Sequence, residues 1–174
     1  FEYQKRWPGI LAYLLKGKVK VIEEGLNHRT TVLDDPFNEG RNGLSGLGPC
    51  LESHRPLDLV ILMLGSNDMK AHYNACPELI ARGVERLVER VGHVSWQPYC
   101  DVPEILILPP PLPGALSGFA TLFEGIEKKI SKLSELYCRL AEEKRCWFLN
   151  TQSFLRCPDT DGIHLDESGH KLLG

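Results

Sequence analysis

One stretch restricts the fold more than any other. From Leu57 to Leu64 the chain reads Leu-Asp-Leu-Val-Ile-Leu-Met-Leu, apolar at every position but one. A strand with one wet face alternates apolar and polar residues. A strand covered on both faces reads as a continuous apolar run of this length. The run ends at Gly65-Ser66-Asn67-Asp68, residues that favour a turn over a further ladder. The chain is therefore expected to place this strand inside a mostly parallel sheet, with cover on both sides.

Three shorter apolar runs extend the pattern: Val19 to Ile22, Ile105 to Leu108, and Cys146 to Leu149. The run Ile105 to Leu108 stops at Pro109-Pro110-Pro111, which cannot donate to a ladder. Helical periodicity lies between the runs. Trp7 to Leu15 has Pro8 near its start, where a helix tolerates it. Glu78 to Val91 sets Leu79, Ile80, Val84, Leu87, Val88 and Val91 on one stripe, and Phe119 to Glu143 does the same with Leu122, Ile126, Ile130, Leu133, Leu136, Tyr137 and Leu140. Asp166 caps a last helix with Glu167 in its first turn. Strands alternating with helices predict βαβ units, and such sheets bind ligands beyond the carboxyl ends of their strands. The segments 34–48 and 109–118, rich in Gly and Pro, are expected as loops framing a pocket.

Other classes are disfavoured by charge and composition. The 174 residues fit one domain, expected over 1–174, and their formal net charge of −3 leaves no basic stripe for nucleic acid. No apolar stretch approaches the ~20 residues needed to span a bilayer. Cys50, Cys76, Cys100, Cys138, Cys146 and Cys157 show neither CxxC nor zinc-finger spacing. They read as thiols of a reducing compartment. No GxGxxG loop is present for a nucleotide cofactor, so no metal or organic cofactor is implied.

Three short segments carry chemistry. Asp161-Gly162-Ile163-His164 places a carboxylate three residues before an imidazole, just ahead of the last helix. A tight turn would let the acid hold one ring nitrogen and leave the other free as a base, or it is a plain surface turn. Gly65-Ser66-Asn67-Asp68 follows the buried strand, so Asn67 can aim its amide into a pocket as an oxyanion donor, or the segment only caps a helix. Gly25 follows the Val19 to Ile22 run and can offer an unobstructed backbone N–H, or it is a turn glycine.

Together the blocks Gly25, Gly65-x-Asn67-Asp68 and Asp161-x-x-His164 resemble the SGNH hydrolases, the GDSL-type esterases and lipases. The stretches Arg6-Trp7-Pro8-Gly9, Val21 to Leu26, Arg29-Thr30-Thr31, Asp34-Asp35-Pro36, Asn42-Gly43, Pro109 to Leu112 and Phe123-Glu124-Gly125 look like the bacterial arylesterases with acyl-transfer or perhydrolase activity. The resemblance spans the chain. It implies a flavodoxin-like three-layer α/β/α sandwich and a hydrolase of small carboxylic esters. It makes His164 the general base and Asp161 its orienting acid. Gly25 and Asn67 become oxyanion-hole donors, and Gly65 and Asp68 supporting turn residues. It also implies a homo-oligomer in the bacterial cytoplasm.

One family element is missing: no Gly-Asp-Ser block occurs in the sequence. Ser66, Ser45, Ser53, Cys50 and Cys157 are poor substitutes, because none carries the spacing of that block. The expectation is that the first strand and its nucleophilic serine lie upstream of Phe1, and that the last helix continues beyond Gly174. The alternative is a binding or assembly protein on the same scaffold that has lost the nucleophile.

Overall fold

The computed structural model describes residues 1–174. The apolar runs supply β1 (Leu59–Leu62), β2 (Glu104–Ile107) and β3 (Trp147–Phe148), which form one parallel sheet in that order. Leu59 stands opposite Glu104 and Leu62 opposite Ile107, and Leu106 is paired with Trp147. Five helices accompany the sheet: α1 (Trp7–Leu14), α2 (Gly43–His54), α3 (Pro77–Gly92), α4 (Ile126–Lys144) and α5 (Glu167–Leu173). Parallel neighbours cannot be joined by a hairpin, so α3 crosses from β1 to β2 and α4 from β2 to β3. Both crossovers step the same way along the sheet. Right-handed connections then put both helices on one face, where they pack against each other.

The core is the seam between that face and those helices. Ile80, Val84, Leu87, Val88 and Val91 of α3 meet Ile126, Ile130, Leu133, Tyr137 and Leu140 of α4 above Leu62, Ile105 and Ile107. Burying each large aliphatic side chain contributes about 1.5–3 kcal/mol, so the helical stripes read from the sequence are what fix this layer. Elsewhere α2 packs on α3, and α1 on α5. Asn42 caps α2 by accepting from the Ser45 amide at 3.3 Å, and Asp166 caps α5 by accepting from the Gly169 amide at 2.8 Å. No helix is long and apolar enough to cross a membrane.

Four expectations are corrected. Val19 to Ile22 forms no strand, because a strand exists by its ladder and no segment among these residues pairs with it. The cover over β1 is uneven, running from exposed Leu59 through half-buried Val60 and Ile61 to buried Leu62. Helix α4 starts at Ile126, not Phe119. Gly125 before it sits at φ 78°, off the helical region, while Phe119 and Phe123 pack edge-on in the preceding turns. The loop expected over 34–48 turns helical at Gly43. Three glycines and the internal Pro49 hide α2 from propensity, but packing on α3 outweighs them.

Candidate active site

The site begins where β1 ends. Gly65 has φ 117°, a conformation that side chains rarely adopt, and a Cβ there would lie 2.4 Å from the Tyr137 hydroxyl oxygen. Tyr137 is fully buried on α4 and donates its hydroxyl to the Leu64 carbonyl at 2.9 Å. Burial drives its phenol well above the ordinary range, so the group stays a donor. The turn is thus held from above by α4 and needs glycine on two counts.

That turn delivers Asn67 and Asp68. The Asn67 side-chain amide donates to the Arg29 carbonyl at 3.0 Å. Arg29 in turn donates its guanidinium to the Glu24 carbonyl at 2.5 Å, and its backbone N–H to Leu26 at 3.1 Å. The segment 24–29 is therefore folded back toward Asn67. Gly25 lies in this loop, exposed, and a Cβ there would touch nothing within 4 Å. The left-handed residue of the loop is His28, at φ 66°.

Asp68 is completely buried and works inward. Its two oxygens accept from the Thr31 amide at 3.0 Å each, and Oδ1 accepts from the Thr31 hydroxyl at 2.6 Å. Burial raises its carboxyl above the ordinary range, with the Thr31 bonds pulling the other way. Beside it Lys70 is buried too, its Nζ 3.8 Å from Asp35 Oδ2 and 3.0 Å from His28 Nδ1. Burial would raise Asp35, but the Phe37 amide, Asn38, Tyr73 and Lys70 hold it at about 2. Burial lowers Lys70 against the pull of Asp35. Thr31, Asp35 and Lys70 were not singled out as site residues. A lysine two residues past Asp68, in a segment that must tuck under the strand end, was the available signal, because a buried lysine requires an acid.

Asp161 and His164 meet as their spacing suggested. Asp161 Oδ2 lies 2.8 Å from His164 Nδ1, while Oδ1 accepts from the amides of Ile163 at 2.8 Å and His164 at 2.9 Å. Burial works to raise the Asp161 carboxyl, but the two amides and the imidazole hold it below the usual carboxylate range. A carboxylate so fixed orients the ring and sets Nδ1 as the protonated nitrogen. His164 Nε2 makes no hydrogen bond within the chain, and the side chain is 69% exposed. Phe119 stands edge-on to the ring at 6.0 Å. The loop closes through Gly162, at φ 78°, where a Cβ would meet the Ala115 carbonyl at 2.4 Å. Gly162 also accepts from the Gly114 amide at 3.0 Å, so the 109–118 loop after β2 braces the acid–base loop.

The two blocks share a wall. Ser66, Pro110, Pro111, Gly162 and Ile163 line one narrow cleft at the carboxyl ends of β1 and β2. Among candidate internal nucleophiles, Cys157 donates its thiol to the Ile163 carbonyl at 3.1 Å, and burial pushes it up to about 12, so it is held as a thiol. Cys50 clusters with Glu24 and His54 instead of His164.

The chain is similar to known proteins over its whole length. The model of the GDSL-like Lipase/Acylhydrolase family matches residues 2–172. The native aryl esterase of M. smegmatis is 40% identical, with a TM-score of 0.94 over 100% of this chain and 83% of its own. Est24, a carbohydrate acetylesterase from Sinorhizobium meliloti, is 38% identical, with a TM-score of 0.91 over 99% of this chain and 82% of its own. The acetyl xylan esterase AlAXEase, 13% identical with a TM-score of 0.72 over 98% and 87%, shares the fold. No curated protein matches in sequence. The chain belongs to the GDSL-like lipase/acylhydrolase family, as a carboxylic-ester hydrolase of the arylesterase type on the SGNH fold.

Proposed function

We propose that this protein hydrolyses small carboxylic esters with a Ser-Asp-His triad, of which Asp161 and His164 are the acid and base. The observation that carries the reading is the 2.8 Å contact between Asp161 Oδ2 and His164 Nδ1, in a loop that shares its cleft with the Asn67 turn. The attacking serine lies outside residues 1–174, since no Gly-Asp-Ser block occurs within them. Its Oγ attacks the acyl carbonyl as its proton passes to His164 Nε2. The carbonyl oxygen becomes an oxyanion, which accepts from the Asn67 side-chain amide and a backbone N–H of the 24–29 loop. Gly25 is the candidate for that N–H. A fixed donor of this kind contributes about 2.7–4 kcal/mol.

Collapse of the adduct expels the alcohol, which takes the proton back from Nε2. Water then attacks the acyl-enzyme by the same route and releases the acid. An alcohol or a peroxide in place of water gives acyl transfer or perhydrolysis. The aryl esterase and acetylesterase relatives support aryl and acetyl esters as substrates. Six unpaired thiols favour a cytoplasmic setting, and the arylesterase likeness favours a homo-oligomer. The test is a fluorophosphonate probe on the full-length protein, with the adduct mapped by mass spectrometry. The reading expects one labelled serine, outside residues 1–174. Labelling of Ser66 or any other residue within them overturns this assignment of the nucleophile.

A further inference from the structure

Away from the acid–base pair, three donors of different kinds converge. Cys50 and His54 stand four residues apart on the last turns of α2, so they share one face of that helix. Glu24 comes to them from the loop before the Asn67 contact. Its carboxylate oxygen, Cys50 Sγ and a His54 ring nitrogen all lie within 4.8 Å of one another. His54 Nε2 is already 2.7 Å from Glu24 Oε1. The positive group at this site is Arg29, whose guanidinium is engaged by the Glu24 backbone carbonyl.

We propose that Glu24, Cys50 and His54 form a binding site for a zinc-class divalent cation, which clamps α2 to the 24–29 loop. The donor set selects the ion. Calcium and magnesium take oxygen ligands, whereas one thiolate, one imidazole and one carboxylate suit Zn²⁺ and leave a fourth position for water. A thiolate and a carboxylate also balance the charge of a dication. Tetrahedral zinc needs modest adjustments, with Cys50 Sγ, within 4.8 Å of the other two donors, closing by at most about 1.2 Å. Standard bond lengths place N and O about 3.4 Å apart, and S and N about 3.6 Å apart. Glu24 and His54 need to part by only about 0.7 Å, from their present 2.7 Å. Their side chains are 48% and 32% exposed, so this shift disturbs no core packing. Sequence spacing concealed the site, because Glu24 is remote from the Cys-x-x-x-His pair in the chain.

The test is titration of the chelator-stripped full-length protein with Zn²⁺ by calorimetry, and with Co²⁺ by absorption. The proposal expects one equivalent of Zn²⁺ bound and a near-ultraviolet thiolate-to-cobalt charge-transfer band. It expects Cys50→Ser to lose the band, and both Cys50→Ser and His54→Ala to weaken zinc at least tenfold. A Cys138→Ser control should keep band and affinity, and zinc should raise the Tm of the wild type but not of His54→Ala. His54 is part-exposed, so its variant decides the matter if Cys50→Ser folds poorly by circular dichroism. Absence of the thiolate band, or zinc affinity unchanged in His54→Ala, overturns the proposal.

Discussion

Replacing Gly65 by alanine should damage the protein through two separable effects. The first is backbone strain: φ 117° is a region that residues with a Cβ avoid, and holding one there costs about 1–3 kcal/mol. The second is steric. The new Cβ would sit 2.4 Å from the Tyr137 hydroxyl oxygen, which must then leave the Leu64 carbonyl it now meets at 2.9 Å. Leaving a buried carbonyl without its partner costs about 1–3 kcal/mol more. Gly65→Ala should therefore destabilise by about 2–6 kcal/mol in urea unfolding followed by circular dichroism.

Tyr137→Phe separates the terms. It deletes the clashing oxygen together with the hydrogen bond, so in that background Gly65→Ala should cost only the strain. The double-mutant cycle should then show a coupling of about 1–3 kcal/mol in the relieving direction. Additive costs, or a Gly65→Ala cost below about 1 kcal/mol, would refute the claim that Tyr137 and the glycine jointly shape this turn.

Two further outcomes follow from the buried polar groups. Thr31→Val keeps the side-chain volume but removes the hydroxyl that bonds Asp68 at 2.6 Å. It should cost about 1.5–3 kcal/mol in the same assay, because the lost bond is to a carboxylate. Asp35 is held at about 2, below its ordinary 3.8. A group lowered on folding contributes stability above its unfolded value and loses it as pH falls toward the folded one. The wild type should therefore lose more stability between roughly pH 4 and pH 2 than Asp35→Asn, measured by urea midpoints across that window. Parallel losses would show that Asp35 does not drive acid unfolding.

Much of the architecture was legible because periodicity reports burial directly. Most of the α3 and α4 stripes and Leu62 of β1 are core residues, though Leu79 and Leu59 are exposed; α3 and β1 lie within two positions of their expected spans, while α4 begins seven residues late. What failed depended on partners. Val19 to Ile22 has strand composition but no ladder to join. Helix α2 is hidden by Gly43, Gly46, Gly48 and Pro49, and only contact with α3 makes it worthwhile. The site divides in the same way. Asp161 and His164 were readable because a local turn joins them across three residues. The Asp68–Thr31 and Lys70–Asp35 pairs were not, since each spans dozens of residues and neither has a local signature. In the 24–29 loop a Cβ at Gly25 would meet nothing within 4 Å, and the left-handed residue is His28, three residues on.

The central claim is that Asp161 and His164 act as one acid–base unit on ester substrates. Its most direct test is steady-state hydrolysis of an aryl acetate by the full-length protein and by His164→Ala, with Asp161→Asn as companion. The account predicts that kcat falls roughly 10³-fold or more in His164→Ala, with KM changed less than about threefold and the fold intact. It also predicts that combining the two substitutions costs little beyond His164→Ala alone, as expected for residues that work as a unit. A kcat loss of less than about tenfold in His164→Ala would contradict it.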